Sequence, residues 1–573
     1  MKKLKFSKLV NLVTKKPAPD TIWNLKPSNS SKKFQYGTWD IEAQNWWELK
    51  LIGVFDGNHY EPHTSIKEFL EHILQAKYNH YHWFAHFGGR YDINFIFDYI
   101  RKSTKTYITS FYCSGSMVLR LTIKRGRYTA HLLDSYRLLP AKLADLTTSF
   151  DVQHKKQVGK IDFSNVVLNQ DLLEYNESDC RGLYEVIHKL YDKVQVQADT
   201  FASLSMTYWK KNYLKQELLH PSSEVKEFVR KGYHGGRVEV YKHEGHNINA
   251  FDVNSMYPFC MTSRVPTNLK GRCRSIDIDE QYYGFAEVMI NVPNDLYIPP
   301  LPVRLDKLYF PTGNLLGVWS FEELREAEKR GCKIQRVLKA YSFYTDYLFV
   351  DFVKDLYQWK VSGNETHRAI AKFLLNSLYG KFGQQPEKEM YCIEETAPAG
   401  AIPILDMNGN VTDFAKYTKT SYASYLLPHI SAAITSKARL ELLKVLDKNS
   451  YYCDTDSVFT SNTMPIWTKK LGSWEPIGKG HGIFYQPKLY LFEGKWKAKG
   501  INSKEQDVCK FIEGEPNVTT RHTSVKEALR TGKDACSSIE VSKIYRDYKG
   551  KRKWLPNKDT RPWNIREILE DTD

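Results

Sequence analysis

Three short segments, Asp252-Val-Asn-Ser-Met-Tyr257-Pro, Lys372-Phe-Leu-Leu-Asn376-Ser-Leu-Tyr379-Gly380 and Tyr452-Cys-Asp454-Thr-Asp456-Ser457, follow one another in that order along 573 residues. Metal ions that clamp an attacking and a leaving oxygen need hard anionic ligands converging from separate segments. Two carboxylate segments flanking a cationic helix supply that chemistry, so the trio reads as a two-metal phosphoryl-transfer site. Asp252 is expected at the end of an apolar strand stopped by Pro258. Asp-Thr-Asp, with strand-forming residues on both sides, reads as a tight hairpin presenting carboxylates. Between them, Ser362-x-x-Glu365 offers a capping box for a helix through Tyr379. Arg368, Lys372, Asn376 and Tyr379 recur along one face of it. Asp-x-Asp also serves metal-dependent glycosyltransferases, but the lysine helix argues against that chemistry.

A chain of this length divides into several domains. The net charge of +16 with 14% aromatics favours a polyanion whose bases stack on rings. Nine scattered cysteines without a Cys-x-x-Cys pair give neither a zinc site nor a disulfide framework and fit a reducing compartment. No stretch has the length and apolarity of a membrane span, so a soluble, intracellular, non-secreted protein is expected. Residues 1–34, with Pro17, Pro19, Pro27 and several Ser and Lys, read as a basic flexible tail.

In the first third, Asp40 and Glu42 at i and i+2 of a strand project from one face and can meet one metal pair. Gly88-Gly-Arg-Tyr91-Asp92 is a glycine turn delivering Asp92 to a helix start. Tyr175 and Asp179 at i and i+4 share a helix face, so Asp179 can hold metal while Tyr175 orients an attacking water. The ordered set Asp40, Glu42, Asp92, Tyr175, Asp179 resembles the motifs of DEDDy 3'→5' proofreading exonucleases. That resemblance implies that Tyr91, Ser135 and Tyr136 contact single-stranded DNA and that a lysine assists excision, Lys156 being favoured over Lys155. Ala43 and Phe87 depart from the Thr and Asn usual in such nucleases, which points to an altered grip on the frayed primer end.

Tyr233-His-Gly235-Gly236-Arg237, a glycine turn suited to phosphates, resembles the Tyr-x-Gly-Gly motif of protein-primed polymerases, and Lys488-Leu-Tyr490 resembles their Lys-x-Tyr motif. From Trp39 to Tyr490 the chain resembles a protein-primed family B DNA polymerase of the phage and linear-plasmid type. The fold implied is an α/β and α+β multidomain one: an RNase H-like exonuclease domain followed by a right-hand polymerase with palm, fingers, thumb and two terminal-protein-region insertions. Two Mg²⁺ ions, with Mn²⁺ as a substitute, are implied at Asp252, Val253 and Asp456, with Asp454 completing the acidic cluster. Two more are implied at Asp40, Glu42, Asp92 and Asp179. Tyr257, Lys360, Arg368, Lys372, Asn376 and Tyr379 are implied at the nucleotide, with Lys372 as a catalytic residue. Tyr233, Gly235, Gly236, Arg439, Lys488 and Tyr490 are implied at DNA.

The expected divisions are the tail (1–34), exonuclease (35–200), palm (201–260 and 419–519), insertion 1 for terminal-protein contact (261–344), fingers (345–383), insertion 2 (384–418) and thumb (520–573). Asn408-Gly409 signals a hairpin in insertion 2, and Lys549-Gly-Lys-Arg-Lys-Trp makes the thumb basic. The resemblance implies a monomer in the host-cell cytoplasm whose partners are primer-template DNA, deoxynucleotides, single-stranded DNA and a terminal protein primer. A nuclease with a DNA-clamping second half and a non-catalytic basic DNA-binding protein are the competing readings. The first leaves Asp252, Lys372 and Asp456 without a purpose, and the second leaves unexplained the carboxylates set among basic segments.

Overall fold

The computed structural model describes residues 24–28, 33–103, 107–159, 161–276, 279, 281–465, 470–501, 504–545 and 550–570. It is a mixed α/β multidomain protein. Along strand Tyr36–Gln44, Trp39, Ile41 and Ala43 enter an apolar core. Asp40 and Glu42 alternate onto the opposite face, which helix Gln170–Val194 covers. This strand pairs antiparallel with Glu48–Phe55 and parallel with His82–Ala85, which runs parallel to Tyr128–Asp134.

The sheet reaches ten strands because Glu387–Ile393 pairs with Ile108–Ser114, adding Glu387–Ile393, Val411–Thr420 and Ile402–Leu405 to one side. Its Asn408-Gly409 turn closes on Asp406, whose carboxylate accepts from the Asn408 and Asn410 amides. The segment expected as insertion 2 is thus an extension of the N-terminal sheet, a pairing across some 280 residues that no local pattern announces.

A second, seven-stranded antiparallel sheet has Glu244–Val253 between Ser457–Thr460 and Trp474–Gln486. Helix Pro428–Leu443 packs over it through Leu442 and Leu443 against Phe251, Cys453 and Val458. A third, four-stranded sheet, spanning Val265–Asp346, carries helix Phe321–Lys329. Helices Val350–Ser362 and Glu365–Phe382 form a hairpin whose buried side holds Ile370, Leu374, Leu375 and Leu378. Among the described residues no helix is long and apolar enough to cross a membrane.

Several expectations need correction. Residues 24–28 are docked rather than free: Leu25 is fully buried and exchanges both main-chain hydrogen bonds with Leu218. Most of the expected tail, 1–23 and 29–32, lies outside the described residues, as does Lys549. The helix from Glu365 is capped by Asn364, whose carboxamide accepts from the His367 amide, while the Ser362 hydroxyl donates to the Gln358 carbonyl one turn back. The strand bearing Asp252 stops at Val253, and Pro258 sits in the first turn of helix Met256–Met261, where no intrahelical N–H is needed. The C-terminal residues do not form one unit. Val525, Ala528 and Leu529 join the N-terminal core, while Arg552 is buried between the rings of Tyr241 and Tyr297.

Candidate active sites

In the second sheet, Asp252 is the last residue but one of its strand, opposite Ser457, and the Val253 amide donates to the Asp456 carbonyl at 2.8 Å. Asp454 pairs with Ser457 across a two-residue turn in which Thr455 has φ +63°. Gly236 lies against that turn, where a Cβ would come 2.7 Å from the Thr455 methyl, so the glycine permits the close approach. Burial, then Asp456 and Glu475, push the Asp252 carboxyl up to about 7. Burial, then Asp454, push Asp456 up as well. Mutually repelling carboxylates on adjoining strands are a donor set for hard divalent cations.

Asp454 is turned aside. Its Oδ2 accepts from Lys488 Nζ at 2.5 Å and from the Tyr452 hydroxyl at 3.2 Å. Glu475, aligned with Asp252 across the strands, is the third acid near it. Sequence reasoning missed Glu475, because only cross-strand register brings it there. Lys488 reaches Asp454 from a left-handed backbone, φ +66°, and Tyr490 packs in an aromatic cluster with Tyr452, Phe459 and Phe484.

Lys360 donates to Asn254 Oδ1 at 2.8 Å and Ser255 Oγ at 2.7 Å, which holds it beside the Asp252 strand end. Burial lowers its pKa, Lys372 adds to that, and Glu475 and Asp252 oppose it. Arg368, Lys372 and Asn376 are exposed along one face of their helix. Tyr379 follows on that face and stacks on Tyr257, ring centroids 4.5 Å apart at 21°. Tyr233 packs against Gly383. Gly235 has open space around its α-carbon.

Arg439 differs from expectation. It is 3% exposed and donates to Glu323 Oε1 at 2.7 and 2.9 Å and to the carbonyls of His234 and Gly235 at 2.6 and 3.0 Å. It therefore anchors the Tyr233 turn to helix Phe321–Lys329 and presents nothing to a phosphate. Arg237 is likewise buried on Glu239.

In the first sheet, carboxylate oxygens of Asp40, Glu42 and Asp179 all lie within 4.8 Å of one another. Asp92 Oδ1 accepts from the Ile41 amide at 3.0 Å. Burial, reinforced by the neighbouring carboxylates, raises Asp40, takes Glu42 up to about 7 and raises Asp92. Burial takes Asp179 up to about 6 against the pull of Lys156. The Lys156 ammonium pairs with Asp179 and donates to the Tyr175 hydroxyl at 2.5 Å. Burial disfavours that charge, yet Asp179 and Asp40 hold Lys156 above the usual lysine range. Asp179 Oδ1 is buried and unpartnered, an acceptor that a divalent cation would satisfy.

Ser135 is fully buried with its hydroxyl on His86 Nδ1, so its side chain does not face a strand of DNA as expected. Tyr136 stacks on Phe87 at 4.3 Å, so the departure at Phe87 exchanges an amide for a ring platform. Ala43 points into the core. Sequence reasoning also missed Trp46, 64% exposed at the hairpin tip after Glu42 and edge-on to Tyr91, with His522 against both rings.

Residues 73–169 and 160–466 match the family model of DNA polymerase type B, organellar and viral. A probable DNA polymerase of Neurospora intermedia is 27% identical over 503 residues, 73% of this chain and 50% of that one. The DNA-directed DNA polymerase of Enterobacteria phage PRD1 is 26% identical over 525 residues, 84% of this chain and 88% of that one. The chain spans about half the length of its relatives from Neurospora intermedia, Podospora anserina and Ascobolus immersus. Among solved structures, Phi29 DNA polymerase complexed with primer-template DNA and incoming nucleotide substrates superposes with a TM-score of 0.71 at 18% identity, covering 89% of this chain and 99% of that one. The matched segments run through Asp92, Asp252, Lys372 and Asp456, and the chain belongs to the organellar and viral type B DNA polymerases.

Proposed function

We propose that the protein is a DNA-templated DNA polymerase that also excises nucleotides from a 3' end, with the two chemistries in separate carboxylate sites. The observation that carries the reading is the pair Asp252 and Asp456, joined through the Val253 amide, facing a helix hairpin that exposes Arg368, Lys372 and Asn376. Lys372 and Arg368 neutralise triphosphate charge as pyrophosphate departs, and Lys360 assists from the strand end. The stacked Tyr257 and Tyr379 supply a floor for the nascent pair, with Tyr257 excluding a 2'-hydroxyl. Mg²⁺ or Mn²⁺, held by Asp252, the Val253 carbonyl and Asp456, supplies a Lewis acid for the primer hydroxyl and the leaving phosphate when bound.

The second site is a 3'→5' exonuclease in an RNase H-like domain. Asp40, Glu42, Asp92 and Asp179 fit two divalent cations, Tyr175 positions water, and Lys156 holds Asp179 and Tyr175 in place. Trp46, Tyr91 and Tyr136 offer ring faces on which unpaired bases stack. The seven-stranded sheet serves as palm, the helix hairpin Val350–Phe382 as fingers, the four-stranded sheet as the surface for a terminal protein primer, and the hairpin Glu387–Thr420 as a processivity and strand-displacement element. The protein works as a soluble monomer in the host-cell cytoplasm on a linear viral or plasmid genome.

Incubation with Mg²⁺ and an end-labelled recessed primer on a template tests this directly. Extension with four deoxynucleotides and shortening without them is the expected result. Salt-sensitive binding with no change in primer length would leave only a DNA-binding protein.

A further inference from the structure

Strand Glu244–Val253 begins in His243-Glu244-Gly245-His246, and the alternation of a strand places Glu244 and His246 on one face and His243 on the other. His243 is engaged there, with Nδ1 3.2 Å from the Phe484 carbonyl. The neighbouring strand Trp474–Gln486 pairs Ile483 with Glu244 and Gly482 with Gly245, and its register slips between Gly480 and Gly482. A bulge of this kind re-aims the side chain it carries. The strand that carries the bulge is Glu244–Val253, where His246 and Asn247, the latter at φ +54°, together oppose the single residue His481; His481 is flanked by two glycines, and a Cβ on Gly480 would come 2.7 Å from Glu493 Cγ.

The consequence is a compact three-donor cluster. His481 Nε2 lies 2.7 Å from Glu244 Oε1, and the His246 and His481 rings stack at 4.5 Å and 15°. One ligand atom from each of the three lies within 4.8 Å of the other two, and Glu244 and His246 are exposed. The three donors sit at one end of two paired inner strands, on an exposed face outside the apolar core. They match the donor set of a borderline divalent cation.

We propose that Glu244, His246 and His481 form a binding site for a transition-metal dication of the zinc type, distinct from both carboxylate sites. Zinc takes imidazole nitrogen and carboxylate oxygen at about 2.0–2.2 Å in tetrahedral geometry, with ligand atoms about 3.4 Å apart. Small side-chain rotations on an exposed face close the cluster to that spacing. Magnesium, which prefers oxygen ligands and retained waters, is disfavoured by the two imidazoles. Binding displaces the hydrogen bond between His481 and Glu244 and leaves a fourth position open to water or a further ligand. Beyond the bulge, Ile248 to Asp252 span about 13 Å of extended strand. The ion therefore clips the same two strands that carry Asp252 and Glu475, at their opposite end, and stabilises them by binding the folded form.

The test uses the full chain in excess Mg²⁺, which occupies the oxygen-only sites, and titrates Zn²⁺ by calorimetry, with Co²⁺ as a spectroscopic probe. One equivalent bound at micromolar affinity, weakened at least tenfold in His246→Ala and separately in His481→Ala with unchanged circular dichroism, is the expected result. Zn²⁺ should also raise the unfolding midpoint of the parent chain and not that of the variants. Absence of binding, equal affinity in the His246→Ala/His481→Ala pair, or a thiolate charge-transfer band with Co²⁺ would overturn the assignment, the last by placing the ion on cysteines.

Discussion

Replacing Arg439 with methionine removes the guanidinium that occupies Glu323, 1% exposed, and the carbonyls of His234 and Gly235, while keeping an apolar stem of similar length. Glu323 is also bound by the Ser320 hydroxyl in a capping box, so it cannot swing out to water without unwinding the helix start. Losing one partner of such a pair costs about 3–5 kcal/mol, because the other charge stays buried. Burial by itself would raise Glu323, and Arg439 overrides it to hold the carboxyl below its ordinary value. In the variant the folded carboxyl rises above the unfolded value instead. Its penalty is then full at pH 8 and shrinks as the pH falls toward about 4.3, where the unfolded chain also takes up the proton. Urea unfolding at pH 8 and pH 5 measures both, and an added Glu323→Gln substitution should recover more than half of the deficit through pairwise coupling. A deficit below about 1 kcal/mol that does not change with pH, together with a salt slope of DNA binding reduced by about 0.9, would refute the reasoning and place Arg439 on a phosphate.

Lys156→Ala should slow primer shortening by about 100-fold, since Asp179 and Tyr175 both lose their donor, and leave extension unchanged; single-turnover shortening on a labelled single strand reads it. Lys372→Ala should lower the extension rate by 100-fold or more, with DNA affinity within about threefold of the parent in a gel-shift titration. Trp46→Ala should weaken single-strand binding by about 1–3 kcal/mol in a fluorescence titration and leave duplex binding unaltered.

What was legible in the sequence is what short-range geometry determines. Strand alternation placed Asp40 and Glu42 together, a helical i, i+4 spacing placed Tyr175 beside Asp179, and the turn at Thr455 was announced by its flanking strand formers. What was not legible depends on pairing across the chain. Glu475 reaches Asp252 through strand register, Arg439 meets a glutamate 116 residues away, and Leu25 is sealed by Leu218. A basic residue on a helix reads the same whether its face meets solvent or a buried acid, which is why Arg439 looked like a phosphate contact. The same limit hid the Glu387–Ile393 strand's place beside Ile108–Ser114.

Two carboxylate sites with separate chemistries are the centre of the account, and their independence is measurable on one labelled recessed primer in Mg²⁺. Asp456→Ala should abolish extension with deoxynucleotides and retain shortening without them, and the Asp40→Ala/Glu42→Ala pair should do the reverse. Loss of both activities in both proteins, each folded as the parent is, would contradict the account.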